Sequence, residues 1–247
     1  MAFPMTAAID IEDLGRLPAT RLKTMLAAGE AVVEAARALA AVGSNPVAEV
    51  LRGQGRFYRE DHYPKGDVFD PDSCAQYYYH AHRGGTEHGH FHTFVAQGGM
   101  PPGVAPSRRF AGRVPTPSRH ALTHLVAVAM DDYGQPIALF TTNRWVTDET
   151  WYSARDVIAV LDRFHVGHDQ PSRLVNRWMG GVLGLFQPTI VELLRARDTA
   201  VESLGRRQPQ SDPLEDPGLE ITSWAEISVD RQMRRVRRAL SQAAARR

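Results

Sequence analysis

The sequence predicts an α+β fold, in which an antiparallel β-sheet carries a histidine-rich hairpin and is flanked by N- and C-terminal helices. Three observations predict it. Apolar residues recur at helical spacing over Pro18–Val42 and again beyond residue 151. From Arg56 to about Phe140 that period is lost, and aromatic and β-branched residues cluster between glycines and prolines. Helical and strand segments are grouped rather than alternating, which suits an antiparallel sheet. A length of 247 residues fits a single domain, 1–247, with helices over 1–55, the sheet over 56–150 and a mainly helical part over 151–247.

The first helix, Pro18–Val42, places Leu22, Met25, Leu26, Val32, Val33, Ala36 and Leu39 on one stripe, and Gly43-Ser44-Asn45-Pro46 stops it. Asn45 caps a short second helix that has Pro46 at its first position and ends near Gly53. Strands are expected at Gln76–His82, Gly89–Ala96, Leu122–Met130 and Pro136–Thr142, with Asp131-Asp132-Tyr133-Gly134 as the turn joining the last two. Gly98–Pro117 is rich enough in proline and glycine to read as a surface loop. Ser153 and Asp156 resemble a capping box, followed by a buried stripe of Val157, Ile158, Val160, Leu161 and Phe164. An apolar pattern runs from Leu174 to Phe186, breaks at Pro188 and resumes over Ile190–Leu204; it forms either core or a homodimer face. Gly180, Gly181 and Gly184 within it permit close helix packing. After a polar connector at Arg206–Gly218, Leu219–Ile227 adds a strand before a final helix opening near Ser228.

Composition excludes several classes. A hydrophobic share of 43% and a charged share of 23% match globular averages and rule out wholesale disorder. No apolar run approaches the roughly 18–20 residues that span a bilayer. Met1–Leu14 lacks the basic-then-apolar order of a secretory signal, and the single cysteine, Cys74, fits a reducing compartment. The expectation is a cytoplasmic protein with no membrane partner. Lysine occurs only at positions 23 and 65, in contexts that do not suggest Schiff-base chemistry. A Walker-type loop, a Rossmann glycine fingerprint and a Gly-x-Ser-x-Gly elbow are missing. From Arg231 onward there are seven arginines and no acid, but the whole chain balances 29 basic against 28 acidic residues and lacks a nucleic-acid-binding motif. A nucleic-acid partner is therefore not expected.

The chemistry lies in one segment, because five of the ten histidines fall between positions 80 and 92. Alternate side chains on a strand share a face, so His80 and His82 point together, as do His88, His90 and His92. Arg83-Gly84-Gly85-Thr86 supplies the turn between them. If cross-strand partner numbers sum to 170, His82 faces His88, His80 faces His90 and Tyr78 faces His92, and all five imidazoles share one face. If they sum to 169, Glu87 faces His82 and the later histidines turn away. The first register is favoured, since the second strands three histidines on the opposite face. Opposed Cβ atoms about 4.5–5.5 Å apart bring imidazoles within reach of one ion bound at about 2.0–2.1 Å. His124, which begins the run into Leu125–Met130, can add a ligand from a third strand. His120 shares its parity, His62 is a secondary candidate, and His165 and His168 belong to a solvated turn. The candidate metal ligands are thus His80, His82, His88, His90, His92 and His124. Glu87 and Tyr78 are candidates for handling protons, and Arg83 for contacting an anionic substrate.

Two resemblances follow from these residues. His80-Ala81-His82, with four residues before Glu87, resembles the first metal motif of cupins, which implies an iron, manganese, nickel, copper or zinc ion. It covers about ten residues, has Cys74 where cupins carry glycine, and is not followed by the second cupin motif. The longer string from Tyr77 to Phe94 resembles the hallmark of an uncharacterised bacterial family that would cover most of the chain and brings no known activity. Together the residues point to a metal-dependent enzyme, an oxidoreductase using iron or copper on a small-molecule substrate. Zinc hydrolysis with Glu87 as general base, and metal binding or sensing without turnover, are the alternatives.

Overall fold

The computed structural model describes residues 14–85, 87–107 and 121–245. The second half of the loop expected over Gly98–Pro117 lies outside these residues, as does His120. The first helix, α1, spans Ala19–Ala40 and buries Leu22, Met25, Gly29, Val32, Ala35 and Leu39. Asn45 then caps α2, Pro46–Leu51, by accepting the Ala48 N–H at 2.8 Å, with Pro46 at a position where a missing N–H costs nothing.

Six strands follow: β1 (Tyr63–Phe69), β2 (Ala75–His80), β3 (Gly89–Ala96), β4 (Leu122–Met130), β5 (Pro136–Thr142) and β6 (Ile221–Glu226). They form one antiparallel sheet in the order β1-β2-β3-β4-β5-β6. The first strand carries no alternating signal. Pro64 and Gly66 interrupt it, the register breaks between Tyr63 and Val68, and Gly66 and Asp67 hold left-handed backbone at φ 87° and 57°. β2 stops two residues short of the expected His82, and this changes the site.

The helices cover one face of the sheet. Short α3 (Arg144–Thr147) and α4 (Ala154–Ile158) lead to α5 (Arg173–Leu185), α6 (Gln187–Arg207) and, after β6, α7 (Val229–Ala245). Ser153 caps α4, its Oγ accepting the Asp156 N–H at 3.3 Å and donating to Asp156 Oδ2 at 2.7 Å, although the helix lasts only five residues. Pro188 falls in the first turn of α6, where its missing N–H is tolerated, so the break separates two helices. Val175, Trp178, Met179, Val182, Ile190, Leu193 and Leu194 all enter the main core, with Tyr77, Tyr79, Phe91, Val126, Val128 and Leu139 from the sheet. The apolar Leu174–Leu204 stretch is therefore largely spent on the interior of this chain. Tyr77 fixes the docking by hydrogen-bonding Asn176 Oδ1 on α5 at 2.6 Å.

The opposite sheet face has a different composition. Ala127, Ala129, Ala138, Phe140 and Ile221 form a small apolar cluster there. Beside it lie the histidines. Small alanines under the imidazoles leave room that larger side chains would fill.

Candidate metal centre

In the β2–β3 ladder Tyr78 pairs with His92 and His80 with His90, the register that sets the imidazoles facing one another. One ring nitrogen from each of His80, His90 and His92 lies within 4.8 Å of the others. His80 Nε2 and His90 Nε2 are 2.7 Å apart. His90 and His92 are buried at 0% and 1% exposure, and His80 is half-buried.

His124 joins this group through a β-bulge. Thr93 pairs with Val126 and Phe94 with His124, so Leu125 is an extra residue on β4. Without it, His124 would share the face of Val126 and Val128, against the helices. The bulge re-aims its ring, placing Nε2 at 2.9 Å from His92 Nδ1, while its own Nδ1 lies 3.5 Å from Thr142 Oγ1. His82 lies beyond the end of β2, yet its ring centroid is 4.9 Å from that of His80 and 5.1 Å from that of His90.

His88 departs from the expected arrangement. Its Nδ1 meets Tyr79 Oη at 2.5 Å, on the helix side of the sheet, and its ring is exposed. The strict alternation that would set it beside His90 ends because ladder pairing of the hairpin stops at His80–His90. Gly89 makes this turn of the chain possible, since a Cβ there would overlap Tyr79 Oη and lie 2.6 Å from the His80 carbonyl oxygen. Glu87 takes the place foreseen for His88. Its carboxyl is buried and accepts the Nδ1–H of His90 through Oε1, while Oε2 has no hydrogen-bond partner. Glu87 is thus engaged with the His90 ring through one carboxyl oxygen.

Tyr78 lies on the imidazole face, its ring centroid 5.4 Å from His80 and 5.3 Å from His92. His62 stacks on it at 3.5 Å and is held by Asp67 Oδ1 at 3.2 Å from its Nδ1. Arg83 donates to Glu220 through Nε at 3.1 Å and lies over the Phe140 ring at 4.7 Å from its centroid. His165 and His168 lie far from the cluster, on the loop beside β1, where the His165 carbonyl accepts from Ser73 and His168 Nε2 meets the Phe69 carbonyl at 3.1 Å.

The electrostatics keep the rings neutral. Burial, then the neighbouring His82, His62 and Arg83 charges, pushes His80 down to about 3. Burial is also the largest cause for His90 and His92, which are held well below the ordinary histidine range, followed by their histidine neighbours. Burial, then Arg197, lowers His124 to about 3, and burial with Arg83 lowers His82. Burial raises Glu87 to about 7 against the pull of Arg83. For the tight Glu87–His90 pair the firm direction is a neutral imidazole, because burial and four nearby basic groups all oppose its protonation. With Nδ1–H donated to Glu87, His90 keeps its Nε2 lone pair for an incoming partner.

His92 Nε2 is buried without a hydrogen-bond partner, a costly arrangement for a polar nitrogen unless something binds there. Neutral imidazoles, with the Glu87 carboxyl on Nδ1 of His90 and the His124 ring on Nδ1 of His92, could hold a transition-metal ion.

Sequence reasoning passed over Glu149, which is 1% exposed and accepts the backbone N–H of His124 at 2.8 Å beside the bulge. Burial raises it to about 7, opposed by Arg197, the His124 N–H and Arg144. In Thr147-Asp148-Glu149-Thr150 no periodic signal separates the buried Glu149 from its acidic neighbour Asp148.

Fold and site together define an α+β protein with a buried imidazole cluster that could hold a transition metal. Residues 26–227 match the model of the family described as Domain of unknown function (DUF6969), and the chain belongs to that family. Comparison with curated proteins and with solved structures found no match. The described strands form an open meander rather than a closed barrel, so the likeness to cupins is confined to the spacing of donors. No helix among the described residues is long and apolar enough to cross a membrane.

Proposed function

We propose that this protein is a histidine-ligated metalloenzyme, an oxidoreductase in which His80, His90 and His92 hold an iron or copper ion. The observation that carries this reading is the convergence of three neutral imidazoles around the partnerless Nε2 of buried His92. A redox-active ion held there would exchange electrons with a small substrate, and imidazole donors suit iron and copper as well as zinc. The surplus of imidazoles beyond one structural tetrahedron favours a site with open positions over a purely structural one. His82, at the half-exposed rim, is placed to supply a further nitrogen, and His124 backs His92 as a proton partner.

The other residues have roles that follow from their positions. Glu87 holds the His90 tautomer. Tyr78 offers a hydrogen bond rather than a proton, since burial and then Asp67 push its phenol well above the ordinary tyrosine range and keep it protonated. Arg83 sets a positive charge beside neutral rings and favours an anionic substrate, with Glu220 sharing its guanidinium until the substrate arrives. Zinc hydrolysis is less well supported, because its expected base, Glu87, is engaged with His90.

Elemental analysis and paramagnetic resonance of freshly purified full-length protein test the reading. Iron or copper near one ion per chain, lost in His80→Ala/His90→Ala, is the expected result. A correctly folded wild-type protein that takes up none of these ions overturns it, and zinc alone moves the reading to hydrolysis.

A further inference from the structure

The outer face of α7 has a chemistry that the imidazole site does not use. Its buried residues Gln232, Met233, Val236 and Ala239 form one stripe against the body of the protein. At about 100° per residue, Arg231, Arg234, Arg235 and Arg238 fall within an arc of about 100° on the opposite side. Arg231, Arg234 and Arg238 are exposed, and Arg235 is half-buried. Asp230, in the first turn, is the only acid on the helix.

Many arginines elsewhere are matched by carboxylates, as in Arg21–Asp162, Arg177–Glu34 and Arg197–Asp198. Among the described residues no carboxylate meets Arg231, Arg234, Arg237 or Arg238, and Arg235 donates to Gln232 Oε1 at 3.3 Å. Like charges three and four residues apart weaken a helix, so this arrangement is unfavourable for the isolated element. The near-neutral charge of the whole chain conceals it, because the balancing acids are distributed over other segments.

We propose that this face binds the sugar–phosphate backbone of nucleic acid. Guanidinium groups repeating about every 5.4 Å of helix offer forked donors to successive phosphates. A lipid surface fits less well. The apolar stripe of α7 is already buried, and the exposed large hydrophobics Val42, Phe57, Tyr58, Phe69 and Tyr133 belong to other segments. The proposal does not depend on the metal centre.

The test is fluorescence anisotropy of full-length protein with a labelled DNA duplex of about 20 base pairs, from about 50 to 200 mM salt. Four engaged arginines give a slope of log K on log salt near −3.6, a loss on the order of 100-fold over that range. Arg234→Gln/Arg238→Gln is expected to keep its circular dichroism and melting temperature, while the slope shrinks by about two. Absence of binding at the lowest salt, or equal binding by the double variant, overturns the proposal. So does binding to phosphatidylglycerol vesicles without binding to DNA, which reassigns the helix to a lipid surface.

Discussion

Glu87 decides which nitrogen His90 offers. Its Oε1 takes the Nδ1–H and so leaves Nε2 facing His80. Glu87→Gln retains an acceptor of similar shape but loses charge, and metal affinity is expected to fall about 10–100-fold. Competition with a chromophoric chelator measures this, and unchanged affinity would place Glu87 outside the centre. A second carboxylate supports the scaffold. Asp70, 4% exposed, accepts the N–H groups of Asp72 and Ser73 at 2.9 Å each and of Gly167 at 2.6 Å, tying the β1–β2 turn to a distant loop. Burial alone would raise its pKa, but these donors outweigh it and hold the carboxyl below its ordinary value. A depressed folded-state pKa stabilises above the unfolded value, about 3.9, and that contribution is lost as pH falls through the folded value. Urea unfolding of wild type and Asp70→Asn is expected to show a stability gap near neutral pH that narrows below about pH 4. A gap that does not change with pH would show that charge plays no part.

At the scale of elements, the sheet and α5 each depend on one local departure from regularity. The Leu125 bulge moves His124 from the helix side to the imidazole side, and Glu149 braces it through the His124 N–H. On α5 the glycines are not equivalent. A Cβ at Gly181 would lie 2.8 Å from the Ala28 carbonyl oxygen and from Val32 Cγ2 on α1, whereas one at Gly180 would meet nothing within 4 Å. Gly181→Ala is therefore expected to destabilise by about 1–3 kcal/mol through overpacking. Gly180→Ala should be neutral or stabilising by up to about 1 kcal/mol, because mid-helix glycine is entropically costly. Thermal unfolding of the two variants checks this, and the opposite order would contradict the α1–α5 contact described above.

For the whole molecule, an ion held by the imidazole cluster would link metal binding to folding. The unfolded chain scatters His80, His90 and His92, so an ion that binds only the folded form stabilises it by mass action. At a free metal concentration near 100 times the dissociation constant the gain is about 2.7 kcal/mol, which for a protein of this size raises the melting temperature by roughly 5–10 °C. Calorimetry with and without iron(II), copper(II) or zinc(II) measures it. A melting temperature indifferent to every one of these ions, and to chelator, would remove the link.

Local order determined much of this architecture. The β3, β4 and β5 boundaries, the Asn45 cap, the Pro188 break and the register that opposes His80 to His90 all follow from periodicity, turn residues and the alternation of side chains, which act over a few residues. β1 escaped detection because Pro64, Gly66 and left-handed Asp67 suppress alternation, and its pairing with β2 compensates only after the chain has folded. Tertiary structure alone decided the rest of the site. Whether His88 or Glu87 turns toward His90 depends on where ladder pairing ends and on the space above Gly89, and whether His124 joins His92 depends on the single bulged residue opposite β3. A strand's parity is a local property, but the point at which it slips is set by the packing of neighbouring strands and helices, and no short stretch of sequence records that balance.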